Sequence, residues 1–278
     1  MPAPDTITAV QLSRLIGVPD APIILDVRIE QDYSSDPRLI PTSTLRNATS
    51  VSEWAAEFVG RSVVVVCQRG LKLSQGAAAW LRHAGARAEV LEGGFEGWVA
   101  GRGLLLRPDR VPDPDPQGRT VWVTRSRPKI DRIACPWLIR RFVDPRAVFL
   151  FVAPSEVMAV AERFQATPFD IEDVFWSHRG ENCTFDAMIE EFGLQSEALS
   201  RLALIVRGAD TARPDLTPQS AGLMAASLGL SRMYRDDLAQ LDAAMGLYDA
   251  FYRWSRDAVA ETHNWPAATS NARSETVA

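Results

Sequence analysis

One cysteine stands where a buried strand pattern gives way to a helical pattern. The apolar run 63–66 is followed by the loop CQRGLK, residues 67–72, and then by apolar residues at helical spacing. A loop that curls into a helix N-terminus directs several backbone N–H groups into one concavity, and the helix dipole adds positive potential. Gly70 allows the loop conformations that a Cβ forbids. We therefore expect an accessible Cys67 that is shifted toward thiolate, with the basic side chains of the loop acting in the same direction.

Such a thiolate can act as a nucleophile, and the same amides would stabilise a persulfide anion after sulfur has been accepted. The alternative is a buried core cysteine, although polar residues and glycine seldom follow one. A phosphatase loop of the C-x-x-x-x-x-R type needs arginine six positions after the cysteine, and this sequence has Leu73 there. The pattern therefore favours sulfur chemistry over phosphate chemistry.

A second group of metal-ligating residue types lies in one short segment. His178, Glu181, Cys183 and Asp186 fall within nine residues. Imidazole, thiolate and carboxylate together suit a divalent transition metal or a redox centre. Asp210 could complete the site because it ends a predicted helix whose apolar face must be buried. The spacing H-x-x-x-x-C is not a standard zinc pattern, so a small-molecule pocket and purely structural polar contacts stay open as alternatives.

Positive charge is concentrated between Arg125 and Arg141, where six basic side chains accompany a single acid. If the chain folds this segment inward, the segment forms an oxyanion pocket. The alternative is a solvated basic face that is paired with the surplus acids of this half of the chain. The candidate residues of a second site in this segment are Lys129, Asp131, Arg132 and Cys135.

Short apolar runs alternate with helical stretches in the first part of the chain. Strands are predicted at 23–27, 63–66 and 88–91, and helices at 8–17, 50–58 and 73–85. This alternation predicts an α/β fold with a mostly parallel sheet flanked by helices. Ligands bind at the carboxyl ends of the strands in such sheets, and Cys67 lies at one of these ends.

The later part of the chain is predicted to form a mainly helical α+β domain. Strands are predicted at 120–124, 148–152 and 173–177, and helices at 154–164, 184–208, 217–229 and 233–260. A further helix should begin near Asp131, and Thr184 is expected to cap the helix that follows it.

Four prolines within residues 108–116 indicate an extended connector between two domains. The predicted division is a first domain at 1–107, a linker at 108–119, a second domain at 120–265 and a disordered tail at 266–278.

The formal net charge is −5, and the charges of residues 1–107 cancel, so the chain lacks the basic excess that non-specific nucleic-acid binding requires. No apolar run is long enough to span a membrane, and no secretory signal is present, so we expect a cytoplasmic protein with no membrane partner. The three cysteines form no C-x-x-C pair, which disfavours a disulfide framework.

Residues 5–105 resemble a single rhodanese (sulfurtransferase) domain. The resemblance is carried by ITAVQLSRLI near the start, IILDVR at 23–28, the CQRGLK loop and LEGGFEGWVAGRGLLL at 91–106. It implies that Cys67 is the nucleophile that forms the persulfide, and that sulfur transfer needs no cofactor. The persulfide-binding loop that it implies consists of Gln68, Arg69, Gly70, Leu71 and Lys72.

The rhodanese resemblance also implies that Asp26 and Arg28 match a D-x-R element that supports the loop from the neighbouring strand. Family members often carry arginine directly after the nucleophile, whereas Gln68 is neutral. This difference weakens the electrostatic case for thiosulfate and leaves the sulfur donor open.

Residues 120–262 resemble the C-terminal domain of chromate-resistance regulators of the ChrB type, in the segments KIDRIACPWLIRRFVDP, FVAPSEVMAVAE, TPFDIEDVFWSHRGENCTFDAMIEEFGL and IVRGAD. The resemblance implies a role in the response to chromate and assigns no catalytic residue. Regulators of this type usually carry a different N-terminal portion, which is held to bind DNA. Because residues 1–107 contain no helix-turn-helix pattern, nucleic acid is not an expected partner.

The sequence therefore supports a sulfurtransferase coupled to a chromate-resistance domain. Its expected partners are a small-molecule sulfane-sulfur donor, such as thiosulfate or mercaptopyruvate, and a thiol acceptor. The alternative is a non-catalytic sensor of chromate, metal or redox state. In the second domain the predicted ligands for a divalent transition metal are His178, Cys183, Asp186 and Asp210.

Overall fold

The first domain contains a five-stranded parallel sheet. Residues 5–261 are described by a computed structural model. The strands are β1 (Thr6–Ile7), β2 (Ile23–Asp26), β3 (Thr44–Leu45), β4 (Ser62–Val66) and β5 (Arg87–Leu91), in the spatial order β1-β5-β4-β2-β3. The helices are α1 (Ala9–Leu15), α2 (Glu30–Ser35), α3 (Val51–Trp54), α4 (Lys72–His83) and α5 (Gly94–Ala100). The predicted α/β architecture of this domain is confirmed.

The central strand β4 is buried on both faces, which explains its continuous run of valines. Val64 and Val66 point into one core cluster, whereas Val63 and Val65 point into another, on the side of α3 and α4. Cys67 continues the second set and belongs to the cluster that contains only first-domain residues.

The second domain contains a smaller parallel sheet of three strands, in the order β7-β6-β8. These strands are β6 (Val121–Arg125), β7 (Val148–Val152) and β8 (Thr167–Pro168). Its helices are α6 (Asp131–Leu138), α7 (Val157–Phe164), α8 (Thr184–Phe192), α9 (Glu197–Asp210), α10 (Pro218–Met233) and α11 (Asp237–Arg253). The helices outnumber the strands, as the sequence predicted.

The two domains share one hydrophobic core. That core joins Leu12 and Trp98 of the first domain to aromatic residues of the second, among them Phe142. The main chains also meet, because the Thr42 N–H donates to the carbonyl of Phe142 and the Arg107 N–H to that of Phe192. The proline-rich connector therefore leads into a tightly packed interface. This interface lies on the sheet face opposite to Cys67.

Several predicted elements need correction. The segment 173–177 forms turns and a single isolated bridge from Trp176 to Phe169, so the predicted strand there is wrong. The predicted helix 184–208 is two helices, because Gly193 adopts a left-handed conformation with φ 73° and ends α8. Cys183, not Thr184, is the N-cap residue of α8. The predicted disordered tail lies outside the described residues.

The N-terminal half of the second domain also differs in detail from the predicted boundaries. The predicted helix 154–164 begins with a 3-10 turn over Pro154–Glu156 before α7. Among residues 5–261, none of the helices combines the length and the apolar character that a bilayer crossing requires.

Candidate functional site

Cys67 lies immediately after β4, at the carboxyl end of the first sheet, and only 4% of the residue is exposed. Its Sγ atom lies 3.1 Å from the hydroxyl oxygen of Ser74, which is itself fully buried on α4. Burial raises the pKa of the Cys67 thiol, but hydrogen bonds from the Ser74 hydroxyl and from the backbone N–H groups of Ser74, Arg69 and Leu71 outweigh that effect, and the net pKa is lowered. These donors therefore shift Cys67 toward its thiolate form inside a largely closed cup.

The loop backbone is fixed from behind by the N-terminus of α5. The N–H groups of Phe95 and Glu96 donate to the carbonyls of Cys67 and Gln68, at 2.9 and 3.0 Å. Two glycines allow this close approach. Gly70 has φ 69° and Gly94 has φ 58°, and a Cβ on Gly94 would lie 2.2 Å from the carbonyl oxygen of Cys67.

The basic side chains of the loop point outward. Arg69 is 71% exposed at its side chain and lies 3.4 Å from Glu96, and Lys72 is also exposed. The Gln68 amide donates to the same glutamate at 3.2 Å. The expected contribution of Arg69 and Lys72 to the thiolate is therefore secondary to that of the hydroxyl and the amides.

Asp26 and Arg28 form a buried ion pair at the end of β2, with 2.7 Å between their closest atoms. The guanidinium also donates to the carbonyls of Asp36 and Arg38, and it stacks 3.7 Å from the ring centroid of Phe95. Because the N–H of Phe95 holds the Cys67 carbonyl, this pair is linked to the loop through one residue. The geometry is compatible with the loop-supporting role that the resemblance implied.

Ser74 is a site residue that the sequence analysis missed. Its only signal is a serine on the inner face of a helix that otherwise buries alanine and leucine. Replacing Ser74 with alanine removes the hydroxyl that favours the thiolate while burial remains. We therefore expect the Ser74→Ala variant to raise the pKa of Cys67 relative to wild type.

The rate of Cys67 alkylation measured against pH tests this expectation for Ser74. The midpoint should move to higher pH in Ser74→Ala and stay unchanged in Ser35→Ala, an exposed serine on α2. An unchanged midpoint in both variants would show that the backbone N–H groups alone lower the pKa of Cys67.

A cleft of about 430 Å³ adjoins the loop. It is bounded by Arg28 and Tyr33 after β2, by Arg46 after β3 and by Leu73 at the start of α4. The Nε atom of Arg46 is buried and has no hydrogen-bond partner among the described residues. The Nε atom of Arg46 therefore offers a donor within the cleft, and the terminal nitrogen of the same side chain pairs with Glu57 at 2.8 Å.

A second polar cluster lies at the carboxyl end of the second sheet. Asp131 begins α6 after β6, and Asp170 follows β8, which pairs with β6 in parallel. His178 comes from the loop before α8, and Asp210 ends α9. One ring nitrogen of His178 lies 3.4 Å from Asp131, 3.4 Å from Asp170 and 3.3 Å from Asp210.

The three carboxylates determine the charge state of this cluster. Hydrogen bonding to Asp131, Asp170 and Asp210 raises the pKa of His178 to about 12. Burial raises the pKa of Asp131 to about 7, and the other two carboxylates add to this effect. Burial would also raise the pKa of Asp170, but hydrogen bonds from His178 and Thr184 and the nearby arginines lower it overall.

The structure revises the predicted metal-ligating set. It brings His178 and Asp210 together, but Cys183 and Asp186 serve the start of α8 instead. The Cys183 N–H and thiol both donate to Asp186, which also forms an ion pair with Arg207 at 2.7 Å. Burial raises the pKa of the Cys183 thiol, which disfavours a thiolate ligand.

The candidate residues of the basic segment are also separated. Asp131 joins the cluster, and the Nε atom of Arg132 lies 3.3 Å from Asp170. Cys135 is fully buried within α6, and burial raises the pKa of its thiol well above the ordinary value. Lys129 is half-buried in the loop before α6. Asp170 had not been singled out from the sequence, although it directly follows an apolar pair in the segment that resembles the ChrB type.

Both domains match known families. Residues 8–101 match the rhodanese-like domain, and residues 122–255 match the C-terminal domain of ChrB. Protein ChrB of Cupriavidus metallidurans is 30% identical to this chain, over 66% of this chain and 57% of that protein. The chain thus spans little more than half the length of this relative.

Solved structures resemble the first domain. A rhodanese-related protein from Thermoplasma volcanium is 22% identical, with a TM-score of 0.32, and the match covers 36% of this chain and 96% of that protein. Thiosulfate sulfurtransferase from Pseudomonas aeruginosa is 26% identical, with a TM-score of 0.32, over 37% of this chain and 19% of that protein.

Proposed function

We propose that this chain, which joins a rhodanese-like domain to a ChrB C-terminal domain, is a sulfurtransferase that forms a persulfide on Cys67. The observation that carries the proposal is the environment of the sulfur atom. A hydroxyl and three backbone N–H groups lower the pKa of a thiol that burial alone would keep protonated. These donors can equally hold the terminal sulfur of a persulfide as an anion.

The proposed reaction has two steps. The Cys67 thiolate attacks the outer sulfur of a sulfane donor such as thiosulfate, and the S–S bond of the donor breaks as sulfite leaves with the electron pair. With mercaptopyruvate the bond that breaks is the C–S bond, and the electron pair leaves on the enolate of pyruvate, which then takes up a proton. An acceptor thiolate then attacks the outer sulfur of the persulfide, and the electron pair of the broken S–S bond returns to Cys67. No cofactor enters either step.

The cleft beside the loop supports an anionic donor. Arg46 contributes a buried Nε atom without a partner among the described residues, while its terminal nitrogen pairs with Glu57 at 2.8 Å. Guanidinium groups bind oxyanions through paired donors, so thiosulfate and mercaptopyruvate both fit this chemistry. Both reagents should therefore be used as donors.

For the second domain we propose a role in chromate resistance, in keeping with its match to the ChrB C-terminal domain. Chromate and sulfate are similar tetrahedral dianions, which offers a chemical link between chromate stress and a sulfur-transferring domain. The proposal places the whole protein in the cytoplasm, with a small-molecule donor and a thiol acceptor as its partners.

Intact-protein mass spectrometry tests sulfur transfer. We expect wild-type protein to gain the mass of one sulfur after incubation with thiosulfate or 3-mercaptopyruvate, and to lose it after addition of a thiol. The Cys67→Ser variant should gain none. This variant keeps Cys135 and Cys183, so it also controls for sulfur uptake by the other thiols. Absence of a gain in wild type with every sulfane donor would reject the proposal.

The second candidate function is a non-catalytic sensor. It is favoured by the 4% exposure of Cys67, which restricts access to the sulfur, and by the polar cluster around His178. In that role the second domain would bind a metal ion or an oxyanion such as chromate, and Cys67 would respond to redox state. A stable sulfur adduct that turns over with thiols would argue against this role.

A further inference from the structure

We propose that Asp131, Asp170 and His178 bind a divalent first-row transition-metal ion, with Asp210 as a fourth protein ligand. One potential ligand atom from each of the first three residues lies within 4.8 Å of the others. The site is independent of persulfide formation, because Cys67 lies on the far face of the other sheet. If the protein is a non-catalytic sensor, this site defines the ligand of its second domain as a divalent metal ion.

The first step is the convergence of charge. Three carboxylates surround one imidazole nitrogen at 3.3–3.4 Å, and that nitrogen supplies at most one positive charge to them. Arg125 and Arg132 each form an ion pair with Asp170, at 3.3 Å. Repeated negative charge in a confined space is costly unless a cation balances it. The two arginines and the imidazole surround the cluster with positive charge, but of these three groups only the imidazole reaches Asp131 and Asp210. A divalent ion in place of the imidazole proton would contact each of the carboxylates at the point where the side chains meet.

The second step is an unsatisfied atom. The Oδ1 atom of Asp131 is buried and has no hydrogen-bond partner among the described residues, and the residue as a whole is 0% exposed. Its other oxygen already accepts from the Thr184 N–H at 2.6 Å and faces His178 at 3.4 Å. A buried carboxylate oxygen without a partner is uncommon, since its desolvation is not offset. A cation that is bound by both oxygens of Asp131 would satisfy it.

The third step is rigidity. Ile130, directly before Asp131, has φ 38°, a conformation that is strained for a β-branched residue. The strain is held by buried contacts, because the Ile130 N–H donates to Ser227 and its carbonyl accepts from Tyr248. Strained backbone that neighbouring helices fix in place is typical of binding and catalytic sites. It positions Asp131 before any ligand arrives.

The outer contacts of the ligands are also in place. The Thr184 hydroxyl donates to Asp170 at 2.9 Å, and the Nε atom of Arg132 lies 3.3 Å from the same carboxylate. Such contacts orient metal ligands and raise affinity. Because the His178 side chain is 41% exposed, an ion can enter from solvent and a chelator can remove it.

The donor set selects the ion. An imidazole with carboxylates suits Mn²⁺, Fe²⁺ or Zn²⁺, whereas Ca²⁺ and Mg²⁺ prefer oxygen ligands alone. The thiols of Cys135 and Cys183 are buried in other contacts, so soft thiolate-seeking ions are not favoured. We therefore expect binding of Mn²⁺ and Zn²⁺, and little binding of Mg²⁺.

The test uses the full chain after treatment with a chelator. Isothermal titration with MnCl₂ and with ZnCl₂ should show one ion per chain, and elemental analysis after gel filtration should confirm the stoichiometry. The variants His178→Gln and Asp170→Asn should bind at least about 100-fold more weakly, since loss of outer contacts alone costs up to that factor. His83→Gln, an exposed histidine on α4, should bind as wild type does.

Cobalt substitution provides a second readout that does not depend on the variants. The Co²⁺-loaded wild-type protein should show the visible absorption of a nitrogen- and oxygen-ligated ion, with no thiolate charge-transfer band. A thiolate band would overturn the ligand set, and so would equal affinities of wild type and His178→Gln. Failure of wild type to bind either Mn²⁺ or Zn²⁺ would overturn the site itself.

The same His178→Gln protein separates this inference from the proposed sulfur transfer. If it folds, as circular dichroism can show, it should form the Cys67 persulfide at the wild-type level. Loss of metal with sulfur transfer intact supports the metal site whatever the fate of the sulfurtransferase proposal.

Discussion

Replacing Arg28 with methionine should lower the free energy of unfolding by about 3–5 kcal/mol, the range measured when one partner of a buried ion pair is removed. The substitution leaves the carboxylate of Asp26, a residue that is 1% exposed, without its counter-charge. It also leaves the carbonyls of Asp36 and Arg38 without the donors they have now. Urea denaturation followed by circular dichroism measures the change.

The chain supplies a matched control for the Arg28 variant. Arg38 and Asp36 form an ion pair with a similar closest distance, 2.6 Å, but the Arg38 side chain is 47% exposed. Arg38→Met should therefore change the free energy of unfolding by at most about 1 kcal/mol. The double variant Asp26→Asn/Arg28→Met should recover part of the loss, because no unpaired charge remains. Equal losses in Arg28→Met and Arg38→Met would contradict the interpretation.

The Cys67 site could be predicted from the sequence because its parts are local. Strand, loop and helix N-terminus follow one another between residues 62 and 83, and the spacing alone places Cys67 at the strand end. The contact between the Ser74 hydroxyl and the Cys67 sulfur could not be predicted, because it depends on how α4 is rotated about its axis. The exposure of Cys67 was overestimated, since α4 and the loop cover a sulfur that we had expected to be accessible.

The second site could be predicted only in part because its residues come from four segments. Asp131 and Asp210 are 79 positions apart. The spacing of apolar residues predicts single strands and helices, but it does not show that β6, β8 and α9 end close together. Closeness in sequence instead suggested Cys183 and Asp186 as ligands beside His178. Their spacing of three residues is that of a capping contact at a helix N-terminus, and the structure uses them in this way.

Two segments of similar composition show how far strands can be predicted from the sequence. The prediction of a strand at 148–152 agrees with β7 to the residue, because β-branched and aromatic residues favour strands even where, as here, Phe149 alone is buried. The aromatic segment at 173–177 has a similar composition, but its Trp176 packs against Trp122 and Phe192 in the core without joining a sheet. Composition thus indicated burial correctly and secondary structure incorrectly.

The placement of the two sites bears on how they could communicate. Cys67 packs toward α3 and α4, whereas the second domain covers the opposite face of the first sheet. A sulfur atom on Cys67 therefore does not face the His178 cluster. A ligand of the second domain could affect sulfur transfer only through the structure between the two sites. That structure consists of β4 and the shared aromatic core.

The largest effect on sulfur transfer from a single methyl group is expected at Gly94. Its φ of 58° costs about 1–2 kcal/mol for a residue with a Cβ. The added Cβ would also lie 2.2 Å from the Cys67 carbonyl oxygen and 2.4 Å from the Gly70 nitrogen, so that backbone must move. Displacement of the loop by about 1 Å can reduce a reaction rate about 100-fold. We therefore expect Gly94→Ala to lose most persulfide formation and to unfold at lower urea concentration.

Gly76 provides the control of opposite sign for the Gly94 variant. It lies within α4, only nine positions after Cys67, and a Cβ there would meet no atom within 4 Å. Because alanine is the better helix former, Gly76→Ala should stabilise the protein by about 0.5–1 kcal/mol and leave the rate of persulfide formation unchanged. Both variants can be compared by urea denaturation and by the time course of sulfur uptake. If Gly94→Ala took up sulfur as fast as Gly76→Ala, the contact between α5 and the cysteine loop would not be what positions Cys67 for the proposed sulfur transfer.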